Sequence, residues 1–217
     1  MQQSAYVPQD LEPLVAEYQR LWPLLRKIHR RIGTLVDQDA VKACAKRLGM
    51  IDKRNNKKVI ALANEMEADV FQDYLLYMHR PRGINFVRQM HNRKLYPQGS
   101  DEQRLLEAMA QARYSVFLIK ETLPSAGFIA LDVVRGEEFF ILNQSVDEQQ
   151  DIVDLLVGCR IFPYQTCWMH TGADIPIGQV EDSATLSPMG KILNEKEERD
   201  LNELNIFKWR EMVRQRN

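Results

Sequence analysis

Residues 114–142 read YSVFLIKETLPSAGFIALDVVRGEEFFIL, and how this stretch is read decides the fold. It holds three apolar runs, 114–122, 127–134 and 137–142, rich in Val, Ile, Leu and Phe. Runs of this length, bounded by Pro, Gly and Ser, are strand-like. Arg135-Gly136 lies between the second and third runs and reads as a tight hairpin turn. Residues 152–162 and 165–171 read as further strands, with a reversal at Phe162-Pro163-Tyr164-Gln165. Four or five short strands joined by hairpins imply a small antiparallel, barrel-like module.

Upstream the hydrophobic period is that of helices. Over residues 10–32 the set Leu11, Leu14, Val15, Tyr18, Leu21, Trp22, Leu25, Ile28 and Ile32 keeps the three-and-four spacing of one buried face. Pro23 predicts a kink there, or two helices meeting. Asp37 or Asp39 caps a short helix that Gly49 ends. KRNNKK at 53–58 reads as the polar start of a longer helix over about residues 55–79. A helix follows over 84–94, and Ser100 with Gln103 signals the start of another over 101–113. Residues 172–190 read as irregular, and 195–214 as a terminal helix. The expected class is therefore α+β. It comprises a helical region (1–113), a small antiparallel β-module (114–172), and an irregular segment with a C-terminal helix (173–217).

The bulk composition, 45% hydrophobic and 27% charged, is that of a globular protein. No apolar run approaches a membrane span, and MQQSAYVPQD lacks the basic start and apolar stretch of a secretory signal. The three cysteines, Cys44, Cys159 and Cys167, are too few and too irregular for a disulfide framework, so a reducing cytoplasmic location is expected. The near-neutral net charge of −1 conceals a split. Residues 1–100 carry 17 Lys and Arg against 10 Asp and Glu, and residues 101–217 carry 12 against 20. Two surfaces of opposite sign suggest different partners, or one surface neutralising the other.

A set of residues in this order resembles a known group. Val70-Phe71-Gln72-Asp73-Tyr74-Leu75-Leu76-Tyr77 is followed by Arg80-Pro81-Arg82-Gly83, then by Tyr114-Ser115-Val116-Phe117. Gly127 to Phe139 and a strand closing on Trp168-Met169-His170-Thr171-Gly172 complete the pattern. Over about residues 65–172 the chain resembles uncharacterised bacterial proteins with a helical front half and a small β-module. Some of these carry a C-terminal SEC-C zinc motif. Their hairpin commonly reads Asp-Leu-Leu-Thr-Gly-Glu, where this chain has Asp132-Val133-Val134-Arg135-Gly136-Glu137. The resemblance implies the fold and names no activity. The zinc motif is absent from 173–217, so no zinc role carries over.

The residues that bear chemistry are scattered. Cys159, Cys167 and His170 are metal-capable, but Cys167 and His170 are three apart and fall on opposite faces of a strand. Two buried thiols and a polar histidine are the expectation, with no metal and no cofactor. Asp132, Glu137 and Glu138 flank the hairpin and read as solvated charge that protects an edge. His79 and His91 lie at helix ends with no nucleophile motif beside them, so no catalytic residue is assigned and an enzymatic role stays open.

Basic residues form three clusters: Arg26, Lys27, Arg30 and Arg31; Lys53, Arg54, Lys57 and Lys58; and Arg80, Arg82, Arg88, Arg93 and Lys94. If they converge, a phosphate backbone is a natural ligand, with Lys57, Lys58, Arg80 and Arg82 as the foremost contacts. Phe207 and Trp209 on the terminal helix are candidates for docking a protein partner or a second copy. The leading expectation is a non-enzymatic cytoplasmic binding or adaptor protein whose basic half meets an anionic partner, nucleic acid among the candidates. The alternatives are a self-associating structural or regulatory protein, and an enzyme assembled from Asp132, Glu138, His79 or His91.

Overall fold

The computed structural model describes residues 7–54, 57–143 and 152–215. Its first helix, α1 (Glu12–Gly33), continues through Pro23 as one element. Two meeting helices do not form because Leu21, Leu25, Ile28 and Ile32, on both sides of the proline, are wholly buried in one core, while Pro23 itself faces outward. Helix α2 (Gln38–Arg47) starts where Asp37 accepts the Ala40 N–H at 2.7 Å. It ends in a Schellman turn, with Gly49 N–H bonded to Lys46 C=O and Met50 N–H to Ala45 C=O. Gly49 takes the positive φ of 64° that this turn demands.

KRNNKK corrects the sequence reading. Its described residues begin no helix. They belong to an antiparallel ribbon of β1 (Ile51–Arg54) and β2 (Lys57–Ile60). Helix α3 (Glu65–Tyr77) begins later, at Asn64, whose side chain accepts the Glu67 N–H at 2.9 Å while the Glu67 carboxylate reaches back to the Ala63 N–H. That is a capping box shifted by one residue, and Asn64-x-x-Glu67 was its signal in the sequence. Helices α4 (Phe86–Asn92) and α5 (Asp101–Ala110) follow, and Ser100 caps the second as expected.

Five strands come next: β3 (Arg113–Leu123), β4 (Gly127–Asp132), β5 (Glu138–Leu142), β6 (Leu155–Tyr164) and β7 (Cys167–Gln179). Their pairings run β3-β4-β5-β7-β6 and return to β3, so the sheet closes on itself. The closure is not wholly antiparallel, because β5 pairs with β7 in parallel at Ile141 with Trp168 and Leu142 with Met169. Strand β7 also runs eight residues beyond the expected end at 171. After a register shift between Cys159 and Ile161 it keeps pairing with β6 as far as Gln179. Gly172 and Pro176 lie in this part and hide its strand character from a sequence reading. Helix α6 (Glu195–Gln215) closes the chain. The fold is α+β, with N-terminal helices, a sheet and a C-terminal helix.

Strand alternation sorts the core. Phe117, Ile119, Phe128, Ala130, Ile141, Val157, Cys159 and Ile161 form one apolar cluster. The opposite strand face supplies Tyr114, Phe140, Leu142, Phe162 and Met169 to a larger cluster shared with the helices. Asp132 lies on the same strand face as Phe128 and Ala130, and it is fully buried. It is not the solvated turn charge that its position suggested. Its carboxylate accepts from the Ser115 hydroxyl (2.6 Å) and from the backbone N–H groups of Val134 (3.0 Å) and Arg135 (3.1 Å), and it pairs with Arg113. The hairpin widens accordingly, with Asp132 N–H bonded to Glu137 C=O and Gly136 N–H to Asp132 C=O.

A charge buried this way is strongly destabilising once its partner is removed. Asp132→Ala is therefore expected to lower the unfolding free energy by about 3–5 kcal/mol, read from urea denaturation. A loss under about 1 kcal/mol, the scale of an exposed pair, would show that the network contributes little.

Candidate functional site

A cleft of about 710 Å³ opens between α1, α3 and the middle of β7. Helix α1 brings Trp22, Arg26, His29 and Arg30, helix α3 brings Asp69, Gln72, Asp73 and Tyr77, and β7 brings Thr171 with Gly172. The helical residues recur at three- and four-residue intervals, so each helix presents one polar stripe beside its apolar one. Gly172, at φ 98°, lets β7 pass close under Trp22, since a Cβ there would lie 3.2 Å from the indole. Trp22 in turn stacks on Tyr18 (5.4 Å between ring centres) and on His170 (5.6 Å).

The floor is built around Asp73. One carboxylate oxygen accepts the Thr171 hydroxyl at 2.7 Å, and the other accepts Arg160 Nε at 3.0 Å. Arg160 is 1% exposed and gives a second bond, Nη1 to Glu198 at 2.9 Å. Its guanidinium lies over the rings of Tyr77 (4.8 Å) and Tyr114 (5.7 Å). Beside it, His29 Nε2 and the Tyr77 hydroxyl are 2.9 Å apart. Burial pushes His29 down to about 4, against the opposing pull of Asp73, so the ring is neutral at pH 7. Burial also raises the Tyr77 phenol, so it too stays neutral.

The mouth differs in kind. Arg26 and Arg30 stand one turn apart on α1, both exposed. Neither makes an ion pair or a side-chain hydrogen bond among the described residues. Two like charges at i and i+4 repel, so the pair weakens the helix that carries it. Opposite them Asp69 lies exposed at the rim. Desolvation raises its carboxyl, while nearby Arg26 draws it down. The result is a polar cavity with a hydrogen-bonded floor, in which Arg160 Nη2 is left without a partner among the described residues, and two exposed arginines near Asp69 at its entrance.

The residues singled out from sequence fall elsewhere. Lys57 and Lys58 are exposed on β2. Arg80 is paired with Glu195 at 2.9 Å, and Arg82 is exposed in the 3₁₀ turn Pro81–Gly83 at φ 62°. The two pairs lie beyond opposite ends of α3, a helix of 13 residues and so about 20 Å long. Trp209 is 4% exposed, packed in the core, whereas Phe207 remains 40% exposed on α6. Cys159 and Cys167 are buried in different clusters, and no group of three or more metal-capable side chains occurs among the described residues. His79 stacks on Phe86, and none of His79, His91, Asp132 and Glu138 lines the cleft. Of the three basic clusters, only the one at 26–31 reaches it. Asp73, Tyr77 and Thr171 lay in the stretches that carried the resemblance, but nothing in the sequence marked them as site residues.

Fold and site together define an α+β protein with a polar cleft at the seam between its helices and its sheet. The chain belongs to a family of unknown function, DUF7986, whose family model matches residues 13–216. No curated protein matches it, and no solved structure does. Among the described residues no helix is long and apolar enough to cross a membrane.

The half-buried His29 gives a pH dependence of definite sign. Below about pH 6.5 an unfolded His29 takes up a proton that the folded one refuses until about pH 4. Stability is therefore lost as the pH falls through that window, by up to roughly 3 kcal/mol. Urea midpoints of the wild type and His29→Asn, compared between these limits, are expected to converge as the pH drops. Parallel curves would contradict the assignment.

Proposed function

We propose that the protein is a cytoplasmic binding protein that takes a small anionic ligand into the cleft between α1, α3 and β7. The observation that carries this reading is Arg26 and Arg30, which make no ion pair or side-chain hydrogen bond among the described residues, at the mouth of a cavity that also holds Asp69 and the hydrogen-bonded Asp73. Guanidinium groups without partners suit a carboxylate or phosphate, to which they present planar, two-pronged donors. The volume falls within the range of small-molecule sites. Asp73, Thr171 and Arg160 hold one another, which favours a floor that is formed before the ligand arrives. The anionic partner thus meets the basic helical half, as the charge split suggested, at one defined place.

A thermal-shift screen of phosphorylated and carboxylated metabolites, followed by calorimetry on hits, tests this reading. Each charge-assisted hydrogen bond contributes about 1.5–3 kcal/mol, so Arg26→Gln/Arg30→Gln is expected to weaken a hit roughly a hundredfold or more. Hits that bind wild type and double variant alike would overturn the reading.

A further inference from the structure

One wall of the cleft offers only hydrogen-bond donors. Arg26, His29 and Arg30 stand at i, i+3 and i+4 on α1, and all three line the cavity. A guanidinium donates and cannot accept. A neutral imidazole does one at each nitrogen, and its neighbour decides which. The Tyr77 hydroxyl lies 2.9 Å from His29 Nε2, and Tyr77 is 2% exposed. That hydroxyl has no other hydrogen-bond partner among the described residues. A buried O–H without an acceptor is costly, so Tyr77 donates to Nε2. The neutral ring then carries its proton on Nδ1. Nδ1 has no partner among the described residues and is not sealed from solvent. It is a third donor beside the two arginines.

The facing wall differs. Asp69 and Gln72, three residues apart on α3, are exposed and line the same cleft. Neither makes a side-chain hydrogen bond among the described residues. A carboxylate accepts only, and an amide both donates and accepts. Asp69 repels an anion, so the part of a ligand that meets it must carry donors. Hydroxyls donate to Asp69 and exchange bonds in both directions with Gln72. An ammonium group would leave the Gln72 N–H groups unmet. On the α1 wall, three donors exceed the two oxygens of a carboxylate and match the three terminal oxygens of a phosphate monoester.

We propose that the ligand of the cleft is a phosphorylated sugar or polyol, with its phosphate on Arg26, His29 and Arg30 and its hydroxyls on Asp69 and Gln72. This rests on the reading of the cleft as an anion site and narrows it to one class of ligand.

The test is calorimetry of the full chain with glycerol-3-phosphate, ribose-5-phosphate and glucose-6-phosphate, each compared with butyl phosphate, whose body has no hydroxyl. The tightest of the three is expected to exceed butyl phosphate by about tenfold or more, the yield of one hydrogen bond to a charged group. Asp69→Ala should remove that advantage, while inorganic phosphate binds as well or better once the repelling charge is gone. Nitrogen NMR of the His29 ring should find the proton on Nδ1. Butyl phosphate binding as tightly as all three, an advantage that survives Asp69→Ala, or a proton on Nε2 would each overturn the proposal. Phosphate binding that depends on Arg26 and Arg30 but ignores hydroxyls would sink the ligand class and leave the anion reading standing. That reading fails by itself if Arg26→Gln/Arg30→Gln binds as the wild type does.

Discussion

Arg160 is the group around which the two halves of this molecule are arranged. A guanidinium that is 1% exposed must have its charge met, and the nearest strands cannot meet it. The anions come from the helices: Asp73 on α3 at 3.0 Å and Glu198 on α6 at 2.9 Å. Tyr77 and Tyr114, from α3 and β3, lie within cation–π reach. Glu198 also accepts the Tyr114 backbone N–H at 2.7 Å, at the point where β3 begins. One side chain thereby requires β3, β6, α3 and α6 to meet at a single place. Such a network adds little net stability over an apolar core, but it penalises any arrangement that leaves the charge alone.

The cleft is a consequence of that arrangement. Asp73 is held by Arg160 from behind, so its other oxygen is aimed at Thr171 on β7. Helix α1 is held against the same strand by the Tyr18, Trp22 and His170 stack. Between these two fixings α1 and α3 cannot close on each other, and the polar stripes of both helices face the gap. A second buried charge, Arg210 on α6, ties the other end in a similar way. It bonds the carbonyls of Leu48 (2.8 Å) and Gly49 (2.9 Å) at the end of α2 and pairs with Glu67 at the start of α3.

What the sequence made legible was whatever rested on local periodicity. The buried stripe of α1, the helix from Asp101, the stop at Gly49 and the strand character of 114–142 depend on local spacing, whereas on α6 Leu204 and Phe207 stay exposed and Asn202, Asn205 and Arg210 are buried. KRNNKK failed because its polar run fits a helix start as well as a turn, and the deciding cap, Asn64, lay further on. Asp132 failed because its hydrogen bonds are made by groups as far away as Arg113 and Ser115, which only the sheet register brings near. The cleft was half legible. Arg26 and Arg30 were noted only within the basic cluster with Lys27 and Arg31, behind Lys57, Lys58, Arg80 and Arg82, and Thr171 and Asp73 are 98 residues apart, so no local spacing relates them.

The charge split acquires a physical meaning from the ion pairs. Arg20 meets Asp101, Arg47 meets Glu203, and Arg80 and Arg88 share Glu195, each joining the basic half to the acidic one. Arg160 and Arg210 make the reverse crossing to Asp73 and Glu67. Much of the opposition between the halves is therefore spent inside the molecule, aligning helices with sheet. Cations left over from that task are the informative ones, because exposed like charges held side by side oppose the fold that carries them. Arg26 and Arg30, on α1 at the mouth of the cleft, are such a pair among the described residues.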